Sequence, residues 1–135
     1  METAYYYLAL SGMLAVLLWV PYILARVLSW GIPAFLHNYP KGFPKDQPEQ
    51  PMWALRSHRA HLNMVETLPA FAAVVLAAAE LAPDSAYSTI TFWCQVFFFS
   101  RVAHAVVYTL AIPFLRTPVY LASWLCILMI GMLSI

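Results

Sequence analysis

Three polar side chains share one helical face within an otherwise apolar part of the sequence. Arg59, Asn63 and Glu66 follow one another at intervals of four and three residues, and those intervals return to the same side of an α-helix. Arginine offers paired donors to a carboxylate, whereas Glu and Asn offer acceptors to an ammonium group. The next residues, 70–79, are almost wholly apolar, so Glu66 is expected inside a bilayer. A carboxylate in the hydrocarbon costs free energy, so Glu66 is interpreted as a functional residue with a partner of opposite charge.

A second polar face offers the partner. Arg101, His104 and Tyr108 occur at intervals of three and four residues, again on one side of a helix. Counted from the tight turn expected between the two helices, Glu66 and Arg101 both lie about 21 to 24 Å deep at 1.5 Å per residue. This matched depth predicts an ion pair between Glu66 and Arg101, because an intramembrane charge is tolerated when it is paired inside the bundle.

The same count places Asn63 level with His104, and Arg59 level with Tyr108. The two helices therefore predict a polar cleft that becomes more basic toward one end. The basic residues near its mouth are Arg26, Arg56, Arg59 and Arg116. Such a cleft favours a small anionic ligand with both carboxylate and amine groups. The alternative is a purely structural ion pair, against which the additional polar groups on both faces argue.

The composition is that of an integral membrane protein. Of the 135 residues, 63% are hydrophobic and 10% are charged, against roughly 25% charged in soluble domains. The length fits one domain, residues 1–135, and the net charge of +1 indicates no nucleic-acid partner. Cys94 and Cys126 lie in apolar runs and are interpreted as packing residues. The acidic start, METAYYY, predicts a first membrane span rather than a cleavable signal peptide.

The apolar segments predict an all-α bundle of four transmembrane helices at residues 5–30, 53–81, 87–112 and 118–135. Pro21 should bend the first span, because it removes a backbone hydrogen bond near the middle. Residues 33–52 hold five prolines and a glycine, which predicts a long surface loop without helix. Thr117 followed by Pro118 is typical of a helix start with Thr as the N-cap.

The positive charges are distributed on one side of the predicted bundle. Lysines and arginines flank or occupy the first and third connections, with Lys41 and Lys45 in the first, whereas the second turn and the termini carry none. By the positive-inside rule, the long first loop is cytoplasmic and both termini are non-cytoplasmic. The protein is thus expected to be a multi-pass membrane protein in contact with membrane lipid.

Three segments resemble the MAPEG family, membrane-associated proteins in eicosanoid and glutathione metabolism. The family pattern of an Arg, an Asn four residues on and a Glu three further matches Arg59, Asn63 and Glu66 in the second of four helices. The segment RVAHAVVY and the stretch RTPVY are similar to the third helix and the start of the fourth in the family's prostaglandin synthases. The sequence departs from those synthases at Leu62, where they have a second Arg, and at Thr117, where they have Ser.

The resemblance implies a homotrimer of four-helix subunits with glutathione bound in clefts between neighbours. The glutathione contacts that it implies are Arg26, Arg59, Asn63, Glu66, His104, Tyr108, Arg116 and Tyr120. Arg116, beside a helix N-terminus, is expected to hold the thiolate, and Thr117 to donate a hydrogen bond to it. The implied function is a membrane-bound glutathione-dependent transferase or peroxidase acting on lipophilic electrophiles or hydroperoxides, and Leu62 counts against prostaglandin chemistry specifically.

Two other functions are compatible with the resemblance: a non-catalytic lipid-binding member of the family, and an accessory subunit of a membrane complex. Retention of Arg116 favours catalysis over both. His58 and His61 have a spacing that can bind metal, but no suitable third ligand is close in sequence and Arg59 would repel a cation, so no metal site is predicted.

Overall fold

The computed structural model describes residues 1–37 and 48–135. These residues form helices and no strand. The helices are α1 (Glu2–Leu17), α2 (Val20–Trp30), α3 (Ile32–Leu36), α4 (Met52–Leu81), α5 (Tyr87–Thr109) and α6 (Arg116–Leu133). A short 3-10 turn, Asp84–Ala86, joins α4 to α5. The predicted all-α fold class is confirmed.

Four segments of the described chain are long and apolar enough to cross a membrane. They are Glu2–Trp30, Met52–Leu81, Asp84–Thr109 and Arg116–Leu133. The shortest contains 18 residues, just above the ~17 residues at which a helix can still span the hydrocarbon. The predicted number of spans is therefore confirmed.

The first span, which Pro21 is predicted to bend, is interrupted just before that residue. A two-residue turn separates α1 from α2. Pro21 has no N–H to donate to the carbonyl of Leu17, and its ring crowds that carbonyl. The amide of Trp19 donates to the carbonyl of Val16 at 3.3 Å, one residue closer in sequence than in an α-helix. The two halves of this span are consequently separate helices.

The prediction that residues 33–52 contain no helix is wrong at its start and at its last residue, Met52, where α4 begins. Gly31, with φ of 79°, ends α2, and α3 follows at once. Pro33 stands at the second position of α3, where its missing N–H costs little because first-turn amides have no acceptor within the helix. Residues 48–51 are not helical. The remainder of the predicted loop, residues 38–47 with Lys41 and Lys45, lies outside the described residues.

The third span ends at Thr109, three residues before the predicted end at Ile112. The amides of Ala111 and Ile112 turn back to the carbonyls of Tyr108 and Val107, at 3.2 and 3.0 Å. This pair of hydrogen bonds commonly closes an α-helix and needs a residue with positive φ, which is Ala111 at 57°. Because alanine rarely adopts this conformation, the apolar sequence carries no signal for the stop.

The fourth span begins at Arg116 rather than at Pro118, and Leu115 is its N-cap. Thr117 lies in the first turn of α6, which has no side-chain cap hydrogen bond, so the prediction of Thr117 as N-cap is wrong. Pro118 occupies the third helical position, where first-turn amides still have no acceptor within the helix. The hydroxyl of Thr117 is therefore not engaged in capping.

Helix α5 lies at the centre of the bundle and packs against α1, α4 and α6. Its Phe97 stacks on Phe71 of α4, with the ring centroids 3.8 Å apart. The buried residues around this pair include Met64, Val75, Ile90, Cys94, Cys126 and Ile130. Both cysteines are buried and unbridged. This apolar core sets the rotation of α4, α5 and α6, and so decides which polar side chains meet.

Candidate functional site

Three helices converge on a small polar cavity of about 240 Å³. It lies where α4 and α6 begin and α5 ends, which we call the basic end of the bundle because Arg56 and Arg116 lie there. The lining residues are Asn63, His104, Tyr108, Arg116, Thr117 and Tyr120. Every one of them is a residue that the sequence analysis assigned to the site, so three segments far apart in sequence meet in space.

His104 is the most enclosed residue of the cavity wall, with 2% of its surface exposed. Its ring lies between two tyrosines, with centroids 5.5 Å from Tyr108 and 5.8 Å from Tyr120. Tyr108 follows His104 by one turn of α5, as the spacing predicts, whereas Tyr120 belongs to α6. One imidazole and two phenols thus supply both donors and acceptors for a polar ligand.

Arg116 brings a positive charge to the rim of the cavity. Its Cζ lies 5.1 Å from the centre of the Tyr108 ring, within the range of a cation–π interaction. It is exposed and is the first residue of α6, so the first-turn amides of that helix add partial positive charge beside it. A guanidinium next to a helix N-terminus favours an anion at this rim.

Three of the predicted ligand contacts lie outside this cavity wall in a single chain. Arg59 and Glu66 are exposed on α4, and the Cζ of Arg26 lies 5.2 Å from the centre of the Trp30 ring. Asn63 is the one member of the predicted α4 face that lines the cavity. Its Nδ2 donates to the carbonyl of Arg59 at 3.0 Å, which leaves its Oδ1 as an acceptor.

Arg101 is buried, with 1% of its surface exposed, and its hydrogen-bond partners are residues other than Glu66. Its Nε–H donates to Sδ of Met64 and its Nη1 to Oγ of Ser123, both at 3.4 Å, and its Cζ lies 5.7 Å from the centre of the Tyr120 ring. Met64 precedes Glu66 by two residues and so points to nearly the opposite side of α4. Glu66 is not among the side chains that hydrogen-bond to Arg101 in one chain, and the ion pair between them stays a prediction.

Two polar partners escaped the sequence analysis. The hydroxyl of Ser123 accepts a hydrogen bond from Arg101. A polar residue within the apolar run of α6 is a sequence signal by which Ser123 could have been identified. Tyr22 links α2 to α4, since its Oη lies 2.8 Å from Nδ1 of His61 and its ring centroid 4.6 Å from that of His58. Tyr22 has no distinguishing mark in the sequence, because its partners come from a different helix.

The comparison with protein families identifies the chain. A model of the MAPEG family matches residues 3–135, which takes in the segments that line the cavity and nearly all of the four spans. Comparisons with individual curated proteins and with solved structures found no significant match. The four apolar helices and the family match over essentially the whole chain lead to one conclusion: the chain belongs to the MAPEG family, whose members include glutathione transferases and related enzymes.

Proposed function

We propose that the chain is a membrane-bound glutathione-dependent transferase or peroxidase that acts on lipophilic electrophiles or hydroperoxides. The observation that carries the proposal is the cavity at which Arg116, Thr117 and His104 meet. It joins a cation, a hydroxyl and an imidazole at one end of a membrane-spanning bundle. Membership in a family that includes glutathione transferases supports glutathione as the ligand.

Arg116 and Thr117 are the residues that we assign to the thiol. A thiol has an ordinary pKa of about 8.5 and reacts as the thiolate. A guanidinium and the first-turn amides of α6 beside the sulfur stabilise the anion and so lower the pKa of the bound thiol. Because Thr117 is not the N-cap of α6, its hydroxyl is able to donate to the sulfur.

The remaining site residues hold the rest of the tripeptide. Asn63 and Glu66 supply acceptors for the ammonium group, and arginines supply paired donors for the carboxylates. The arginines assigned to the carboxylates are Arg26 and Arg59, and the further polar contacts are His104, Tyr108 and Tyr120. This assignment requires groups that one chain leaves apart.

A homotrimer accounts for those separated groups. Arg59 and Glu66 are exposed on a helix long and apolar enough to cross a membrane. Glu66 is at the middle of that helix, where a charge that faces lipid costs about 2.5–3.5 kcal/mol or more. The cavity of one chain, at about 240 Å³, is also smaller than the ~300 Å³ at which ligand pockets usually begin. A neighbouring copy packed against α4 covers both charges and enlarges the site, so glutathione binds between subunits.

The reaction begins with attack by the thiolate. With an electrophile, the sulfur bonds to carbon and the leaving group departs with the bonding electrons, while the thiol proton goes to water. With a hydroperoxide, the sulfur takes the outer oxygen and the O–O bond breaks, which releases an alcohol after protonation. A second glutathione then reduces the sulfenic acid and yields the disulfide and water. The apolar substrate arrives from the membrane.

The proposal is tested on protein purified in detergent. Glutathione is titrated by calorimetry, its thiolate is followed by ultraviolet absorbance, and transfer to a lipophilic electrophile is assayed.

Arg116→Ala should abolish the thiolate absorbance near neutral pH and retain much of the binding, and Arg116→Lys, which keeps the charge, should restore part of the absorbance. Arg59→Ala should weaken affinity and spare turnover at saturation, because a contact made equally in ground and transition states affects only binding. Equal loss of affinity in both alanine variants, with no thiolate and no transfer in the wild type, contradicts catalysis.

Lipid binding without catalysis, on its own or as an accessory subunit, is the second candidate function. An open apolar groove of about 610 Å³ along α5 and α6 favours it. The groove is lined by Phe92, Gln95, Val96, Phe99, Ser100, Ala103, Pro118, Val119 and Ala122. Such a lining suits an acyl chain. Copurified lipid together with no glutathione transfer would favour this function over catalysis.

A further inference from the structure

Helix α2 packs mainly against α4, apart from α3, which follows it directly in the chain. It is not continuous with its neighbours, because a two-residue turn precedes it and Gly31, with φ of 79°, ends it. The buried residues of α2 are Tyr22 and Ala25. They pack against Ala54 of α4 in a small cluster separate from the main core. The place of α2 in the bundle therefore depends on few contacts, and Tyr22 is the largest side chain among them.

Tyr22 also supplies a polar contact between the two helices. Its Oη lies 2.8 Å from Nδ1 of His61, and its ring centroid lies 4.6 Å from that of His58. Tyr22 is buried and both histidines are half-buried, so water competes weakly for this hydrogen bond. If α2 moved away from α4, the Tyr22 hydroxyl would lose its partner while still largely buried, which costs free energy. The hydrogen bond therefore favours one distance and one rotation of α2 against α4.

Arg26 lies one turn of α2 beyond Tyr22. It follows Tyr22 by four residues, an interval that returns to the same face of a helix. It is half-buried, and its Cζ lies 5.2 Å from the centre of the ring of Trp30, a residue of the same helix. The contact with Trp30 holds the guanidinium relative to α2. The place of that guanidinium in the bundle consequently depends on how α2 lies against α4.

We propose that Tyr22 and His61 are positioning residues for glutathione, because their hydrogen bond holds α2 against α4 and so keeps Arg26 where it can pair with a carboxylate of the tripeptide. The inference rests on the proposed function, which assigns Arg26 to a carboxylate. A guanidinium binds a carboxylate best through two parallel N–H···O bonds, and a misplacement of about 1 Å is enough to lose such an alignment. Neither Tyr22 nor His61 belongs to the glutathione contacts that the family resemblance implies.

The expected effect is on affinity and not on turnover. Only molecules with α2 in place offer Arg26 to the ligand, so a weaker hold on α2 raises the apparent dissociation constant of glutathione. The upper limit is the contribution of one hydrogen bond, which corresponds to about fivefold in affinity. Turnover at saturating glutathione depends on the thiolate beside Arg116 and should be retained.

The test is calorimetric titration of glutathione into detergent-purified variants, with turnover measured at saturation. Tyr22→Phe and His61→Leu should each raise the dissociation constant about fivefold. His61→Asn places an amide oxygen near the position of Nδ1 and should retain most of the affinity. The matched control is Ser29→Ala, which removes a hydroxyl of α2 whose hydrogen bond, to the carbonyl of Ala25 at 2.9 Å, stays within the helix. This control should leave the affinity unchanged.

A double-mutant cycle with Arg26→Met separates positioning from a merely structural role. If Tyr22 acts through Arg26, Tyr22→Phe should have no further effect on glutathione affinity once Arg26 is replaced. A general loosening of the bundle would instead lower the affinity by the same factor in both backgrounds, and that result overturns the proposal. Unchanged affinity in Tyr22→Phe, with a wild type that binds glutathione, also overturns it and leaves the proposed function intact.

Hydrogen exchange followed by mass spectrometry tests the hold on α2 without any ligand. Tyr22→Phe should raise the exchange rate of the α2 amides by up to about fivefold and leave that of the α6 amides unchanged. Unchanged exchange in α2 overturns the proposal, whether or not glutathione binds. A wild type that neither binds nor transfers glutathione contradicts the proposed function, and the role of Arg26 with it, even where the exchange of α2 responds to Tyr22→Phe.

Discussion

Replacing Ser123 with alanine tests how the buried guanidinium of Arg101 is held. Ser123 accepts a hydrogen bond from Nη1 of Arg101 at 3.4 Å and donates to the carbonyl of Tyr120 at 2.7 Å. Ser123 and Arg101 have exposed fractions of 0% and 1%, so bulk water does not reach the space that the hydroxyl leaves. Ser123→Ala therefore removes an acceptor from a buried charged donor.

The magnitude follows from the type and length of this hydrogen bond. A hydrogen bond to a charged group contributes about 1.5–3 kcal/mol. The distance of 3.4 Å is longer than that of a strong charge-assisted bond, and the bond from Nε to Sδ of Met64 remains. We therefore expect Ser123→Ala to lower the free energy of unfolding by about 1.5 kcal/mol, the lower end of that range.

The assay is a titration of a denaturing detergent into the purified protein, with unfolding followed by tryptophan fluorescence. In a double-mutant cycle, Arg101→Met and Ser123→Ala together should lose about 1 kcal/mol less than the sum of the single losses. Glu66→Gln is the matched comparison. Because Glu66 is exposed and makes no hydrogen bond to Arg101 in one chain, its loss should come close to adding to that of Arg101→Met. If Arg101→Met and Ser123→Ala are additive while Arg101→Met and Glu66→Gln are coupled, this reasoning is refuted and an ion pair between Glu66 and Arg101 is supported.

Three other predictions use the same preparation or simple fusions. Ala111→Gly should raise the free energy of unfolding by about 0.5–1 kcal/mol, because glycine adopts a positive φ without steric cost, and a lower free energy would contradict the strain assigned to φ of 57°. Tyr22→Phe should lower the free energy of unfolding by about 1 kcal/mol through loss of the hydrogen bond to His61. Tyr6→Phe, at an exposed position, should leave that free energy unchanged, and equal effects of the two variants would argue against the link between Tyr22 and His61. A reporter fused after Ile135 should be active only outside the cytoplasm, and cytoplasmic activity would reverse the orientation.

The sequence alone determined the features that depend on local chain properties. Hydropathy and length identified the four membrane spans, because a helix must carry about 20 apolar residues to cross the hydrocarbon. Pro21 marked the interruption of the first span through its missing N–H. The regular spacing of His104 and Tyr108 placed them on one face of α5. The cavity residues were also named in advance, since the resemblance to the MAPEG family supplied the positions that periodicity cannot connect.

Only the tertiary structure decided which faces meet and where the helices end. The side chain that contacts Arg101 depends on how α4 and α6 are rotated about their axes. The core around Phe71 and Phe97, which includes Cys126 and Ile130 of α6, sets that rotation, and depth along the axis contains no information about it. The end of α5 depends on main-chain hydrogen bonds to residues 111 and 112, which the apolar side chains there do not indicate. The position of a residue along a helix follows from counting residues. The rotation of the helix follows from side-chain packing against its neighbours, and its end follows from main-chain hydrogen bonds that the side chains do not indicate.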